Sequence, residues 1–172
     1  MKISKTIHQL LTVFILSLFL VTTNSMAQDE QRSRSQTVYL EVLGNGLIYS
    51  LNYDTRFSNS VKGLGGRAGI GHMAINGDRL TTFPFLVNYL FGRDKHYFEV
   101  GAGATLLTAS AFSNFGPVDS RESGSAFIGT MSLGYRLEPL NGGFSFRAGI
   151  TPIFDRKSFF PFWPQISFGY AF

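Results

Sequence analysis

The chain has 172 residues, a formal net charge of +4 and no cysteine. This length suits a single domain, and the lack of cysteine excludes disulfides and thiolate metal sites. Because Lys2 and Lys5 belong to a predicted export signal, the rest of the chain carries only about +2, which removes the compositional support for nucleic-acid binding.

The N-terminal segment has the pattern of a secretory signal peptide. Lys2 and Lys5 form a basic region, residues 10–21 form an apolar core, and residues 25–27 form a small-residue cleavage site. The apolar core is too short for an uncleaved anchor, because a membrane helix needs about 20 apolar residues. We therefore expect residues 1–27 to be cleaved after export through the Sec pathway.

Beyond the signal the chain has the pattern of a series of strands. Residues 28–36 are polar and without period, so we expect a disordered lead-in there. The folded domain is expected over residues 37–172, where Gly, Asn, Asp and Pro clusters separate eight strand-like segments. These segments are residues 37–43, 46–57, 64–73, 80–91, 96–108, 125–137, 143–153 and 163–172. None of them shows a convincing helical period.

The connections alternate in length. Short turns are expected at residues 58–62, 92–95 and 138–142, and the intervening connections at 74–79, 109–124 and 155–162 include two longer ones. Short turns at one end and longer loops at the other are typical of outer-membrane barrels. The first connection departs from this pattern, because Asn45 and Gly46 predict a two-residue turn in which both residues adopt positive φ.

Each segment has one apolar face and one small or polar face, because successive strand residues point to opposite sides. In the last segment the first face holds Ile166, Phe168, Tyr170 and Phe172, and the second holds Gln165, Ser167, Gly169 and Ala171. The apolar faces of all eight segments together contain no Asp, Glu, Lys or Arg. A Lys or Arg facing lipid near the midplane costs about 2–4 kcal/mol, so their absence indicates a lipid-facing exterior. The predicted fold is an all-β, eight-stranded antiparallel up-and-down transmembrane β-barrel.

Charged residues occur at the inward positions of several segments. We predict a lumen charge network made of Glu41, Asp54, Arg56, Arg67, Glu99, Arg136 and Arg147. An eight-stranded barrel has little room inside beyond its own side chains, and an unpaired buried charge is costly. The acids and arginines are therefore expected to pair, mostly in the half of the barrel that holds the termini, and to occlude the lumen.

A soluble barrel of the lipocalin type is the alternative architecture. It is also exported and can have eight strands, but its interior is apolar and its exterior polar. In that case aromatic residues from every strand would overfill a small interior, so we favour the lipid-facing arrangement.

With its signal, its alternating strands and its terminal Phe168, Tyr170 and Phe172, the chain resembles the small eight-stranded outer-membrane β-barrels of Gram-negative bacteria, of the OmpX or OmpA transmembrane-domain type. The resemblance implies a location in the cell outer membrane, among outer-membrane lipid and lipopolysaccharide. It also implies that Phe168, Tyr170 and Phe172 are an assembly signal for the barrel-assembly machinery. It implies no activity, because this class includes adhesins, enzymes, small pores and structural proteins.

Candidate sites for chemistry are few. His72 lies at an outward position near a strand end, like the histidine of barrels that deacylate lipid A, but Ala74 rather than serine follows on the same face. His96 follows a tight turn, and the two histidines lack the spacing of metal ligands. Charge pairing explains the inward carboxylates without acid–base catalysis. We expect no metal, no cofactor and no enzymatic activity.

The remaining candidate is a surface patch. Phe159, Phe160, Phe162 and Trp163 form a dense aromatic group in the last long loop, which either grips an extracellular partner or belongs to the aromatic belt at the loop base. We therefore predict a structural or surface-interaction role with an occluded lumen. A narrow pore for small solutes is the first alternative, and an outer-leaflet lipid-modifying enzyme is the second.

Overall fold

The computed structural model describes residues 34–75, 78–113 and 120–172. The predicted signal peptide and residues 28–33 of the predicted lead-in lie outside the described residues. Ser35 is buried and Gln36 already belongs to the first strand, so the ordered domain begins slightly before the predicted boundary at residue 37.

Most of the described residues lie in β-strands. The strands are β1 Gln36–Leu43, β2 Tyr49–Arg56, β3 Gly63–Ile75, β4 Asp78–Arg93, β5 His96–Ser113, β6 Ser120–Leu137, β7 Gly143–Ile150, β8 Ile153–Phe154, β9 Phe159–Phe160 and β10 Pro164–Ala171. One 3-10 turn, Gly44–Gly46, joins β1 to β2. In this described part of the chain, no helix is long and apolar enough to cross a membrane.

The sheet closes on itself. Consecutive strands pair antiparallel from β1 to β7, and β10 pairs with both β7 and β1, so that eight strands form a ring. Strand β8 continues β7 along β6, where Ile153 and Phe154 pair with Thr130 and Gly129, and β9 pairs back onto β8. This topology confirms the predicted all-β class and the eight-stranded antiparallel up-and-down barrel.

Two predicted boundaries are wrong. The predicted loop at residues 109–124 is mostly strand, because β5 and β6 stay paired from Ala109–Gly124 out to Ser113–Ser120. Its Ser, Gly and Asn residues resemble a loop, but a two-stranded ladder accepts small polar residues on both faces when both are outside a core. The predicted strand 143–153 is interrupted at Pro152, which has no N–H to donate to the ladder.

The exposure of the side chains confirms the predicted direction of the two faces. Phe85, Phe127 and Phe168 are 54%, 73% and 46% exposed on the outside, whereas Arg67 and Arg147 are 4% and 2% exposed inside. The soluble alternative requires the opposite arrangement and is therefore wrong. The apolar core among the described residues is one small cluster of Val61, Leu90 and Tyr97 near the barrel end.

The barrel has two distinct ends. We call the end that holds the first residue of β1 and the last residue of β10 the base, and the opposite end, which holds the Gly44–Gly46 turn, the mouth. The tight turns after β2, β4 and β6 lie at the base, and the last residues of β1, β3, β5 and β7 lie towards the mouth.

Candidate functional site

The structure brings all the predicted lumen charges together inside the barrel. They are at most 4% exposed, and most of them occupy the base half. They are Glu41, Asp54, Arg56, Arg67, Glu99, Arg136 and Arg147. Strand alternation places them there, because each occupies an inward position of its strand.

Asp54 is one centre of this network. Its Oδ1 lies 2.7 Å from Nη2 of Arg56 and 3.0 Å from Nη2 of Arg136, and its Oδ2 lies 3.7 Å from Nη2 of Arg147. One carboxylate from β2 is thus surrounded by guanidinium groups from β2, β6 and β7, which ties strands on opposite sides of the ring to one point.

Glu99 is the second centre. Its carboxylate lies 3.3 Å from Arg136 Nη1, 3.8 Å from Arg67 Nη1 and 3.9 Å from Arg147 Nε. The Asn88 amide joins the two centres, because its Nδ2 donates to Asp54 Oδ2 at 2.7 Å and to Glu99 Oε1 at 3.2 Å. Arg56 in turn donates to the Asn88 carbonyl.

Glu138 is a member of the network that sequence reasoning missed, because it falls in the predicted turn after the sixth strand. Its carboxylate accepts hydrogen bonds from Ser35, Thr37 and Ser145 at 2.8, 2.6 and 3.0 Å and from Arg136 Nε at 3.1 Å. The sequence feature that indicates it is its position two residues after Arg136, which in an extended chain puts both side chains on the same inward face. With Glu138, the described residues place four carboxylates and four guanidinium groups in the lumen, so the formal charges of these groups cancel.

The pKa of Glu138 is lowered. Burial alone raises the pKa of this carboxyl, but the charges of Arg136 and Arg147 and the hydrogen bonds from Arg136 and Thr37 outweigh burial and bring the pKa from 4.5 to about 2. Glu138 is therefore a carboxylate at every physiological pH, as a neutral network requires.

Tyr39 is the second missed member. Its ring packs against Arg147, whose Cζ lies 3.8 Å from the ring centroid, and its hydroxyl accepts a hydrogen bond from Arg67 Nη1 at 3.0 Å. Tyr39 is 2% exposed at an inward position of β1. Parity along β1 places it inside, between the outward Val38 and Leu40, but an aromatic residue does not stand out as a partner of charged groups.

Glycines leave the space that these long side chains need. A Cβ at Gly65 of β3 would overlap the guanidinium group of Arg56, which lies across that position. The same holds for Gly69 and the Asn52 side chain. The sequence predicts glycines where inward side chains need room, and these two positions agree with that prediction.

The mouth of the lumen holds a feature that the sequence did not predict. The Gly44–Gly46 turn folds into the barrel, where all three residues are buried. The predicted Asn-Gly hairpin turn is wrong, because positive φ occurs at Leu43, Gly44 and Leu47 instead of Asn45 and Gly46. Such φ values cost roughly 1–3 kcal/mol at a non-glycine residue, so surrounding contacts must hold this conformation.

Those contacts cross the lumen. Asn45 N donates to Glu41 Oε1 of the preceding strand β1 at 2.9 Å, while Asn45 Nδ2 donates to the Met131 carbonyl of β6 at 3.2 Å. Thr105 Oγ1 of β5 donates to the Asn45 carbonyl at 2.8 Å, and Thr82 Oγ1 of β4 donates to the Gly46 carbonyl at 3.1 Å. Because β5 lies opposite β1 in the ring, the turn spans the barrel from wall to wall.

The predicted aromatic patch lies at the rim of the mouth. Phe159, Phe160 and Phe162 are 63%, 64% and 76% exposed, and Trp163 is half-buried at the start of the last strand. The three predicted assembly residues, Phe168, Tyr170 and Phe172, are exposed on the outer face at the base end. Their role as an assembly signal stays a prediction.

The two histidines lie at different ends of the exterior. His72 Nδ1 is 2.9 Å from Thr81 Oγ1 near the mouth, and Tyr49 donates a hydrogen bond to the His72 carbonyl. His96 Nδ1 is 2.6 Å from the Tyr135 hydroxyl near the base. Among the described residues no group of three or more His, Asp and Glu side chains could hold a metal ion.

Comparison with known proteins supports the fold. No protein-family model matches the chain, and no curated protein sequence matches it. Among solved structures, the chain is similar to the N-terminal β-barrel domain of OprF from Pseudomonas aeruginosa, with a TM-score of 0.57 and 12% identity. The similarity covers 83% of this chain and 98% of that domain. The resemblance to small eight-stranded barrels that the strand pattern predicts is therefore confirmed for the fold.

Proposed function

We propose that this protein is an outer-membrane β-barrel whose lumen is occluded and whose role is structural or surface-interacting. The observation that carries the proposal is the inversion of polarity across the wall, with charged side chains buried inside and large apolar side chains exposed outside. Exposed apolar surface of this extent is unfavourable in water, whereas acyl chains accept it without cost.

The geometry of the wall supports insertion. A transmembrane β-strand needs about 9–11 residues. Strands β3, β4, β5 and β6 exceed this length, and β1, β2, β7 and β10 have eight residues each. Closure pairs each of the eight strands of the ring with a neighbour on both sides, which is required in lipid because no water is available for unpaired backbone groups. Tyr49, Tyr53, Tyr89 and Tyr135 lie exposed on the outer face, in keeping with interfacial aromatic belts.

Two separate layers support an occluded lumen. In the base half, ion pairs around Asp54 and Glu99 join buried charged side chains from strands on opposite sides of the ring. At the mouth the Gly44–Gly46 turn spans the barrel and hydrogen bonds to β4, β5 and β6. A solute would have to displace both layers, which is why we favour a structural or surface-interaction role over a pore.

Conductance across planar bilayers tests the occluded lumen. We expect the wild-type protein and the R67A/R147A variant both to remain closed, because the mouth turn is intact in each. Insertion is checked first in lipid vesicles, from the heat-modifiable gel mobility and β-rich circular dichroism of a folded barrel. Stable conductance steps from the wild-type protein would contradict the proposal and support the narrow-pore alternative, and failure to insert would contradict the membrane location itself.

A further inference from the structure

The hairpin of β8 and β9 extends the outer wall beyond the point where β7 ends. Phe154 pairs with Gly129 of β6, and a Cβ on that glycine would overlap the Phe154 ring, so the ring lies on the outward face of the wall. Phe159 pairs with Phe154 on the same side. The hairpin therefore continues the apolar exterior towards the mouth.

The position of this hairpin along the wall matches a membrane interface. A transmembrane β-strand needs about 9–11 residues, so a strand that enters the membrane at Leu137 leaves it near Gly129 and Phe127. Phe154 and Phe159 stand at that level, and the turn at Asp155 to Ser158 extends just beyond it. In the inserted barrel the side chains of this turn meet lipid headgroups, and the rings of Phe154 and Phe159 just below it meet the upper acyl chains.

The turn presents two cations. Arg156 and Lys157 are exposed, and among the described residues neither has a carboxylate partner. The neighbouring Asp155 does not neutralise them by a side-chain contact, because its Oδ1 accepts hydrogen bonds from the backbone N–H groups of Lys157 and Ser158, both at 2.7 Å. Asp155 thereby fixes the turn and leaves the basic side chains free to reach a ligand.

We propose that this hairpin binds phosphate-bearing anionic lipid headgroups of the leaflet at the mouth, with Arg156 and Lys157 on the phosphate and Phe154 and Phe159 among the upper acyl chains. Charge complementarity and continuity with the apolar wall favour a lipid over a protein partner. The inference rests on the proposed membrane insertion and adds a named site and ligand class to it.

The chain's single tryptophan, Trp163, pairs with the buried, inward Thr151, and its indole Nε1 is buried, so it lies away from the lipid. The fluorescent probe is therefore F159W in a W163F background, at an exposed position that pairs with Phe154 on the outward side of the hairpin. Every protein compared, the wild-type reference included, carries this pair of substitutions. The protein is refolded into phosphatidylcholine vesicles that contain a fraction of lipid with brominated acyl chains. That fraction is either phosphatidylcholine or phosphatidylglycerol, and the ratio of the two quenching efficiencies measures how strongly anionic lipid is enriched beside position 159.

A matched control comes from the base. Arg93 and Lys95 flank Asp94 in the β4–β5 turn and are exposed, so R93Q/K95Q removes one Arg and one Lys beside an Asp, as R156Q/K157Q does. We expect roughly fivefold or greater enrichment of phosphatidylglycerol in the wild-type and R93Q/K95Q proteins. The ratio should fall to about one in R156Q/K157Q, with quenching by brominated phosphatidylcholine unchanged, because charge attraction is lost but insertion depth is not.

Three results would overturn this site. Equal quenching by both lipids in the inserted wild-type protein would exclude anionic lipid and leave the aromatic hairpin for a protein partner. An equal fall of the phosphatidylglycerol enrichment in R156Q/K157Q and R93Q/K95Q would indicate a general effect of protein charge and not a site at the hairpin. Failure of the wild-type protein to insert into any vesicle, seen as the lack of a heat-modifiable band, would refute the proposed function together with this inference.

Discussion

The base half and the mouth half of the lumen are filled by different parts of the chain. At the base, long charged side chains from several strands meet around Asp54 and Glu99. At the mouth, the backbone of the first connection itself folds inward, and short side chains such as Thr82 and Thr105 hold it. The stability of the charged layer depends on every buried charge having a partner. The stability of the turn depends on its backbone conformation and on a few neutral hydrogen bonds. The two halves should therefore respond very differently to substitution.

The largest effect is expected at Arg136, which belongs to the base. It donates to Asp54, Glu99 and Glu138, so R136A leaves three buried carboxylates short of a partner. Removal of one partner from a buried charge group costs about 3–5 kcal/mol. Urea unfolding of the barrel in vesicles measures this loss, and the exposed Arg93 provides the control R93A, which should unfold like the wild-type protein. Equal stability of R136A and R93A would show that the charged layer does not support the barrel.

Acid should weaken the base half through Glu138. The pKa of this carboxyl is lowered from 4.5 to about 2 in the folded protein, so its contribution to stability is complete above pH 4.5 and is lost as the pH falls towards 2. The contribution is on the order of 3 kcal/mol. The free energy of unfolding of the wild-type protein and of E138Q, measured from pH 7 to pH 2, should differ above pH 4.5 and converge below it. A constant difference across this range would contradict the lowered pKa.

The backbone of the mouth turn is tested at Gly44. Its φ is +66°, and a Cβ there would lie 2.6 Å from Glu41 Cδ and 3.0 Å from Gln165 Cβ, so G44A should cost roughly 1–3 kcal/mol. Gly63 is the matched control, because its φ is +94° and nothing lies within 4 Å of a Cβ there. Both variants carry the penalty of positive φ, and only G44A adds the collision. If G63A is as destabilised as G44A in urea unfolding, the inward packing of the turn is not supported.

The smallest effect is expected at Asn45. N45A removes the hydrogen bond from Nδ2 to the Met131 carbonyl but keeps the backbone bonds to Glu41 and Thr105. A neutral hydrogen bond contributes about 0.5–1.5 kcal/mol, so the loss should lie in this range. Urea unfolding checks it, with T108A as the control, because the Thr108 hydroxyl contacts Ser125 outside the lumen. A loss as large as that of R136A would remove the distinction between the two halves.

The same contrast explains what could be predicted from the sequence. Successive side chains of every strand alternate between lipid and lumen. Which residues face outward, and which charged residues such as Arg67 and Arg147 face inward, can therefore be predicted from the alternation alone. Glu138 was missed because turn residues mark the end of a predicted strand, although the inward face continues one position past Leu137. The inward turn could not be predicted, because an Asn-Gly pair favours an ordinary hairpin locally. The partners that hold it across the lumen, Thr82, Thr105 and Met131, are distant in the sequence.

The proposed membrane location depends above all on the direction in which the wall faces, and cysteine scanning of β4 tests that direction. The chain contains no cysteine, so single cysteines can be introduced along β4 and spin-labelled after insertion into vesicles. At the outward positions 85, 87 and 89 we expect the spin label to be strongly relaxed by oxygen, which is concentrated in the acyl chains. A water-soluble nickel chelate should relax it little. At the inward positions 86 and 88 we expect weak relaxation by both reagents. High access of the nickel chelate to positions 85 and 87 would contradict a lipid-facing wall, because those side chains would then face water.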